Sequence, residues 1–537
     1  MKNKNSTRKP LKSGVASGLP RVCGKAGIPV IDLFAGPGGL GEGFSAFAGD
    51  NGQRAFKIRL SIEKDPIAHQ TLKLRAFFRQ FPPDGVPDDY YKFLRREITM
   101  ADLYYLHQAE AGLAETEAWH CTLSKENATI VRERIANALG STDRWVLIGG
   151  PPCQAYSLAG RSRNMGMEDY DLATDSRLKL YIDYLQVIDD HAPAVFVMEN
   201  VKGLLSAKVN EARIFEKILE DLQSPHRALR AEGRAVVSGR QPHYNLFSLN
   251  PEASPSGPEV ALPQNYVIRA ERHGVPQARH RLIIIGVRSD LKVSPDPLPS
   301  ISDPIPAKKV LTGLPPLRSG ISGNLDSAER WLAGLRETAG HRWLKSAAHA
   351  DIGDEMLSQL PVVAPEAGCG AEFISTVIKI DYARKWFLDS RIKGVCNHSA
   401  RSHMESDLHR YFFAACFARL HDRTPSLADF PKHLLPAHQN VQEALETGHF
   451  SDRFRVQLPD RPSTTITSHI SKDGHYYIHY DPGQCRSLTV REAARLQTFP
   501  DNYFFCGGRT SQYTQVGNAV PPLLAREIAH QIYNIIR

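Results

Sequence analysis

A short apolar run ending in a cluster of glycines sets the first limit on what this chain can become. Pro29-Val30-Ile31-Asp32-Leu33-Phe34 reads as a buried strand, and Ala35-Gly36-Pro37-Gly38-Gly39 stops it. Leu40, Phe44 and Phe47 then fall on one helical face, and a second strand-like run, Ile58 to Ile62, ends at Glu63. Strand, Gly-rich turn, helix, strand and acidic residue open a nucleotide-binding α/β sheet. The rhythm recurs. Trp145-Val146-Leu147-Ile148 runs into Gly149-Gly150-Pro151-Pro152-Cys153, and Leu178, Tyr181, Leu185 and Ile188 form a helical stripe. Val195-Phe196-Val197-Met198 ends at Glu199-Asn200, Ile214, Ile218 and Leu222 mark a helix, and Tyr266-Val267-Ile268 and Leu282 to Ile285 are further strands. The expected fold is therefore α/β, a Rossmann-like, doubly wound, mostly parallel sheet with functional residues at the carboxyl ends of its strands.

A chain of 537 residues exceeds what one core needs, and its rhythm changes along its length. Residues 1–27 read as a flexible basic arm and 28–288 as the sheet domain. Prolines cluster from Pro295 to Pro316, and 289–487 reads as a second, less regular domain. Residues 488–537 return to the sheet: Thr489-Val490-Arg491-Glu492 has capping-box spacing, and a last helix after Pro521-Pro522 carries Leu524, Ile528, Ile532 and Ile535. Lys plus Arg exceed Asp plus Glu by 66 − 58 = 8, a mild excess that suits a polyanionic partner without requiring one. Eight scattered cysteines fit a reducing compartment rather than a disulfide scaffold. With no signal-like apolar core and no run near the roughly 20 residues of a membrane span, the expected location is cytoplasmic.

Several residues stand where chemistry is done. The glycines allow a ligand to approach the backbone at a helix N-terminus, and Glu63 is placed to grip ribose hydroxyls; a tight structural turn is the equal alternative. Cys153, in a loop after a strand and held by glycines and prolines, is set for nucleophilic attack rather than packing. Glu199 projects from the same sheet edge, where a semi-buried carboxylate can hold a proton or serve only as a cap. Gln277-Ala278-Arg279-His280-Arg281 spaces two arginines for one strand face, with a solvated basic edge as the alternative.

Together these segments resemble the cytosine-5 DNA methyltransferases over nearly the whole ordered length, in the family's order. Ile31 to Gly39 is similar to its first cofactor motif, Gly150-Pro151-Pro152-Cys153-Gln154 to its nucleophile motif and Glu199-Asn200-Val201 to its Glu-Asn-Val motif. Gln277-x-Arg279-x-Arg281 resembles its two-arginine motif. Arg461-Pro462-Ser463-Thr464-Thr465-Ile466 through Arg491-Glu492-Ala493-Ala494-Arg495-Leu496-Gln497 resembles the segment supporting its recognition domain, and Gln515 to Pro522 its closing motif.

The resemblance implies methyl transfer from S-adenosylmethionine to carbon 5 of cytosine in duplex DNA, on a base flipped out of the stack. By the same likeness Cys153 attacks the base, Glu199 engages ring N3 and the amine, and Arg279 and Arg281 hold the base oxygen and a phosphate. Phe34, Ala35, Gly36, Gly38, Gly39, Leu40, Glu63, Pro151, Asn518 and Val520 become cofactor residues. The stretch from Ser157 to Met167 becomes the loop that closes over the base. It also makes 289–487 the target-recognition region, leaves a separately acting restriction endonuclease open as a partner, and implies no metal.

About 80 residues separate Glu63 from the Trp145 strand, more than one crossover needs, and the family's acidic contact to adenine has only Asp102 and Glu126 as weak candidates there. Cys396-x-His398 with His403 and His409 lacks the second cysteine pair of a zinc site. Two other functions compete. An RNA (tRNA) methyltransferase would use the same core, although the long span after Arg281 favours a DNA reader; a non-catalytic DNA-binding regulator would carry a broken motif, and none is broken.

Overall fold

The computed structural model describes residues 27–152, 176–206, 208–209, 212–236, 239, 241–253, 262–323, 326–341, 344, 350–437, 440–448 and 451–537. Cys153, the 157–167 loop and the arm before residue 27 lie outside the described residues.

Eight strands form the central sheet: β1 (Ile28–Leu33), β2 (Phe56–Glu63), β3 (Ala118–His120), β4 (Val146–Gly149), β5 (Val195–Val201), β6 (Tyr244–Phe247), β7 (Val267–Arg269) and β8 (His280–Arg288). Their order is β3-β2-β1-β4-β5-β8-β6, with β7 also paired to β8. The first five are mutually parallel; β8 runs antiparallel to β5, β6 and β7. Register aligns the strand ends. Leu33 lies opposite Ile62 and Gly149, and Gly149 opposite Met198, so the residues after them share one edge. The antiparallel β8 begins at that same edge, with Arg281 opposite Val201.

Alternate residues of each strand feed two cores, as a doubly wound sheet requires. One face carries Leu33, Leu147, Phe196 and Met198 beneath helix α3 (Ser176–His191). On the other, Val30, Ile58, Val146 and Val197 pack under α1 (Gly39–Ala46) and the C-terminal helix Pro522–Ile536, through Phe44, Leu524, Ile528 and Ile532. Those two helices approach closely because Gly43 has no side chain: a Cβ there would stand 2.5 Å from both Ala525 Cβ and Pro522 O.

The long Glu63–Trp145 interval is occupied by structure. Helix α2 (Pro66–Arg79) is followed by helices Asp88–Leu94, Met100–Leu106 and Gln108–Glu117 before β3. Tyr90, Tyr91 and Phe93 of this block pack with Ile392, Cys396, Phe504 and Cys506, tying the inserted helices to the second half of the chain.

That second half has a core of its own. Ile321, Trp331, Leu335, Phe430, Phe454 and Ile478 surround α4 (Glu405–His421), whose Tyr411, Phe412, Phe413 and Cys416 are all buried. Between this core and the sheet lies a third cluster around α5 (Val490–Leu496) and α6 (Arg509–Asn518), joined by Val310, Phe387, Ile466 and Ile470. Thr489 and Glu492 form the expected capping box of α5. We denote the C-terminal helix Pro522–Ile536 α7.

Candidate active site

The turn after β1 is built on left-handed backbone. Phe34, Gly36 and Gly38 have φ of 56°, 58° and 97°, a conformation cheap for glycine and costly for phenylalanine. Neighbours hold Phe34 there: Ala35 N–H donates to Ile62 O (3.1 Å), Gly36 N–H to Glu63 Oε2 (2.8 Å) and Gly38 N–H to Ala35 O (2.9 Å). The Tyr503 hydroxyl donates to Pro37 O. Helix α1 follows its N-cap Gly38 with no side-chain cap; the Gly41 N–H turns to Asp32, and the N–H groups of Gly39 and Leu40 are left for a ligand.

Glu63 ends β2 beside this turn. Its Oε1 accepts from Asp65 N–H at 2.7 Å while Oε2 holds Gly36. Each carboxylate oxygen keeps a further lone-pair direction, so the orientation is fixed before any hydroxyl arrives. The closing segment reaches the same place. A Cβ on Gly39 would lie 2.3 Å from Val520 O, so glycine is what lets that segment touch the turn. Leu40 and Val520 are buried, and Asn518, the last residue of α6, is exposed.

One strand over, Gly150 and Pro151 follow β4 and are fastened to β5. Asn200 Nδ2 donates to Pro151 O (3.2 Å), while its Oδ1 accepts from Val201 N–H (2.8 Å). Gly150 lies so close to Glu199 that a Cβ would stand 2.8 Å from Oε2. The Glu199 carboxylate, 13% exposed, pairs with Arg281 Nε at 3.0 Å. Glu199, Asn200, Arg281 and the loop leading to residue 153 thus share one corner of the sheet edge.

Arg279 behaves differently from Arg281, although the spacing suggested one face for both. Its guanidinium is 1% exposed and donates to Ile466 O (2.7 Å), Gly517 O (3.2 Å) and Ala519 O (2.8 Å). Burial pushes both arginine pKa values down, Arg279's furthest; the Arg281 charge adds to that shift and Glu199 opposes it. In this geometry Arg279 fastens two returning segments, and Arg281 alone faces the Glu199 carboxylate. Gln277 does similar work: its Oε1 accepts from Ile466 N–H (2.8 Å), and Gln277-Ala278 pairs in parallel with Ser463-Thr464. Segments nearly 190 residues apart in sequence meet here.

Beneath the turn, Asp32 is fully buried and burial pushes its carboxyl up to about 8; Gly41 N–H and the Arg79 charge oppose that shift, and Glu63 and Glu117 add to it. Its Oδ2 has no hydrogen-bond partner.

At the far end of the edge, β3 ends at Trp119-His120; Cys121 follows with its N–H bonded to Glu63 O, and no carboxylate stands at the strand end. Asp102 is exposed in a capping box with Thr99, and Glu126 is exposed six residues beyond β3. Neither stands on that edge. Of the histidines near Cys396, His398 and His403 are separately engaged, and His409 Nε2 is buried without a hydrogen-bond partner among the described residues. His398 bonds Thr489 Oγ1 and Pro315 O (both 2.9 Å), His403 bonds Ser487 Oγ (3.2 Å), and Cys396 Sγ reaches Leu94 O. Among the described residues no group of His, Cys, Asp and Glu could hold a metal ion, and no helix is long and apolar enough to cross a membrane.

Sequence reasoning passed over Asn200 and Gln497 as individual clamps. Gln497 Nε2 donates to Val516 O (2.7 Å), and only its place within a quoted motif hinted at a role.

Known proteins resemble this chain over most of its length. The family model for C-5 cytosine-specific DNA methylase matches residues 118–225 and 264–534. Type II methyltransferase M.Bpa9945I of Bacillus paralicheniformis is 32% identical, over 94% of this chain and 99% of its own. Type II methyltransferase M.AgeI of Thalassovita gelatinovora is 27% identical over 94% and 98%. The DNA (cytosine-5-)-methyltransferase M.ApeKI of Aeropyrum pernix is 27% identical over 74% of this chain and 83% of its own. Both the edge geometry and these likenesses lead to one assignment: the chain belongs to the C-5 cytosine-specific DNA methylase family.

Proposed function

We propose that this enzyme methylates carbon 5 of a cytosine within a specific duplex DNA sequence, using Cys153 as the nucleophile. The observation that carries the assignment is the fastening of Gly150 and Pro151 against Glu199, Asn200 and Arg281. Residue 153 is two positions past Pro151, so a thiolate there and the Glu199 carboxylate can address one base.

The chemistry follows from what the ring lacks. Carbon 5 of cytosine is a poor nucleophile until a thiolate adds to carbon 6 and pushes electron density into the ring. Glu199 protonates or hydrogen-bonds N3 and accepts from the exocyclic amine, so charge does not build up there. Arg281, already held on Glu199, steadies that carboxylate and reaches the base oxygen. Carbon 5 would then take the methyl, the methyl–sulfur bond of the donor breaking with its electron pair kept by that sulfur. A base removes the carbon 5 proton, the C–H electrons re-form the 5,6 double bond, and the Cys153–carbon 6 bond breaks with return of its electrons to Cys153. The base must leave the helix first.

S-Adenosylmethionine, whose sulfonium makes the methyl electrophilic, is the donor the residues fit. Glu63 would take the ribose hydroxyls. The uncapped start of α1 and the turn Phe34-Ala35-Gly36 with Gly38, Gly39 and Leu40 would take the methionine end, and Pro151, Asn518 and Val520 would close the walls. The lack of space at Gly39 supports this, since only a glycine turn lets the closing segment pass so near.

In this reading residues 28–288 catalyse, 289–487 choose the target, 488–537 complete the cofactor site, and 1–27 form a basic arm. The protein works in the cytoplasm as the modification half of a restriction–modification pair, with a separate endonuclease. Duplex DNA bearing 5-fluorocytosine at the target tests the core of it. A covalent adduct should form with the wild type and not with Cys153→Ala, and an adduct on the variant would refute the assignment. Methyl label entering tRNA but not duplex DNA would refute the substrate.

A further inference from the structure

A pocket of about 300 Å³ lies at the start of α6, between that helix and the second core. Its walls bring Arg401, Ser402 and His403 together with Lys472, Arg509 and Thr510. Two independent features point to an anion. Helix α6, ten residues long, begins at Gly508 with no side-chain cap, so its first N–H groups and its positive dipole end open here. Arg401 is 8% exposed yet among the described residues meets no carboxylate: its guanidinium donates to Lys472 O (2.8 Å) and Ile470 O (2.6 Å), and its Nε has no hydrogen-bond partner among them. Arg401 thus brings to the pocket wall a buried positive charge that is met by carbonyl dipoles and the face of the Tyr513 ring, 4.6 Å from its centroid, but by no carboxylate among the described residues.

The neighbouring charges favour the same sign. Arg509 spends one N–H on Ala400 O (2.6 Å), and among the described residues neither it nor Lys472 has an ion pair. Of the two carboxylates present, Asp407 is paired with Arg410 (2.8 Å) and Asp473 accepts from His475 N–H (2.9 Å). His403 and His475 are held below the ordinary histidine range by burial, so they add hydrogen-bonding nitrogens rather than charge at neutral pH.

We propose that this pocket binds a backbone phosphate of the DNA, away from the flipped base. The inference rests on the function proposed above. Helix α6 links the two places: its C-terminal end is tied to Arg279, and ten residues at ~1.5 Å each put its N-terminus about 15 Å away. At ~3.4 Å of helix axis per phosphate on one strand, that span reaches a phosphate roughly four nucleotides from the target. The contact orients the duplex and reads no base.

The test is the salt dependence of binding to target duplex DNA. Arg509→Gln and, separately, Lys472→Gln, which alters a side chain with no packing role, should each weaken binding roughly three- to tenfold near 0.1 M salt. Each should also lower the slope of log K against log salt by about one. Arg509→Lys should restore most of the loss. Methylphosphonate placed singly along the duplex should reproduce the effect at one phosphate in the wild type and add nothing in Arg509→Gln. Unchanged slopes in both variants would overturn the proposal. So would binding of inorganic phosphate at this pocket, detected calorimetrically, with no change in the DNA slope of the variants. Failure of the wild type to trap 5-fluorocytosine DNA would instead strike the catalytic reading.

Discussion

Exchanging Arg279 for lysine separates two roles that the Gln-x-Arg-x-Arg spacing makes look alike. Arg279 serves three buried carbonyls, at Ile466, Gly517 and Ala519. Ala519 O also accepts from Gln497 Nε2 at 3.3 Å, so two carbonyls depend on the guanidinium more heavily. A lysine keeps the charge but offers one nitrogen in place of a planar fork, and from one position it reaches one of those two. An acceptor left buried without a donor costs ~1–3 kcal/mol. Against a typical total of ~5–15 kcal/mol, that is a clear fall in a urea midpoint. The freed segment runs from Gly517 to Ala519 and includes Asn518, so cofactor affinity should fall about tenfold in the same variant. The assay is paired: urea unfolding followed by tryptophan fluorescence, and equilibrium binding of S-adenosylmethionine. Arg281→Lys, by contrast, should leave the urea midpoint nearly unchanged and lower kcat by ~10²-fold, the scale for losing one charge-stabilising donor. If Arg279→Lys keeps its midpoint and its cofactor affinity but loses kcat, Arg279 touches the base and the reasoning is wrong.

Gly150→Ala should keep the fold yet lower kcat by ~10- to 100-fold, because a Cβ 2.8 Å from Glu199 Oε2 must displace the carboxylate from its bond with Arg281; methyl transfer at saturating substrates, if undiminished, excludes that displacement. Gly43→Ala should destabilise by ~1–3 kcal/mol through the 2.5 Å approach of α7 to α1, and an unshifted unfolding midpoint would contradict the packing. Asp32 carries a pH signature. Its folded pKa of about 8 lies above the ordinary carboxyl value, so the native state holds the extra proton; its contribution is full below about pH 4 and is lost as pH rises through 8. Asp32→Asn does not titrate, so between pH 6 and 8 it should gain on the wild type by on the order of 2–3 kcal/mol. Parallel stability curves for the two proteins would show that the carboxyl is not neutral in the fold.

The parts of this protein that could be read in advance are those whose signal is local. Strand, glycine turn and Glu63 lie within 36 residues of one another, and each piece constrains the next. The Gly150-Pro151 loop and Glu199-Asn200 were legible for the same reason, as strand ends of adjacent pattern. What escaped is contact between distant segments. Nothing near Arg279 announces that its guanidinium will meet Ile466, Gly517 and Ala519, because a spacing of two specifies a strand face and not what packs over it. The interval after Glu63 was longer than one crossover needs, and nothing local shows what fills it, since four of its five helices bury apolar residues partly against Phe504 and Cys506 rather than on the sheet. An acidic contact to adenine was expected somewhere in that interval with Asp102 and Glu126 as weak candidates, and β3 ends in His120-Cys121-Thr122 with neither of them on the sheet edge.

Net charge shows the same limit from another side. The first 27 residues contain seven lysines and arginines and no acid, which leaves a net charge of only one for the rest of the chain out of a total of eight. Within that rest, Arg279, Arg486, Arg491 and Arg495 are fully buried. Arg486 and Arg495 are neutralised by Glu492 and Asp501, whereas Arg279 and Arg491 donate only to carbonyls. They are at the joint for a geometric reason. Loops arriving from separate parts of a chain bring carbonyls without the matching N–H groups that a helix or sheet would supply, and one guanidinium offers five donors in a plane. Arginines spent in this way hold the sheet to the second core and are unavailable to DNA. The chain beyond the arm is therefore close to neutral as a whole, and its attraction for a duplex must come from where its cations stand. Arg401, Lys472 and Arg509, gathered around the open end of α6 without carboxylate partners among the described residues, are such a concentration.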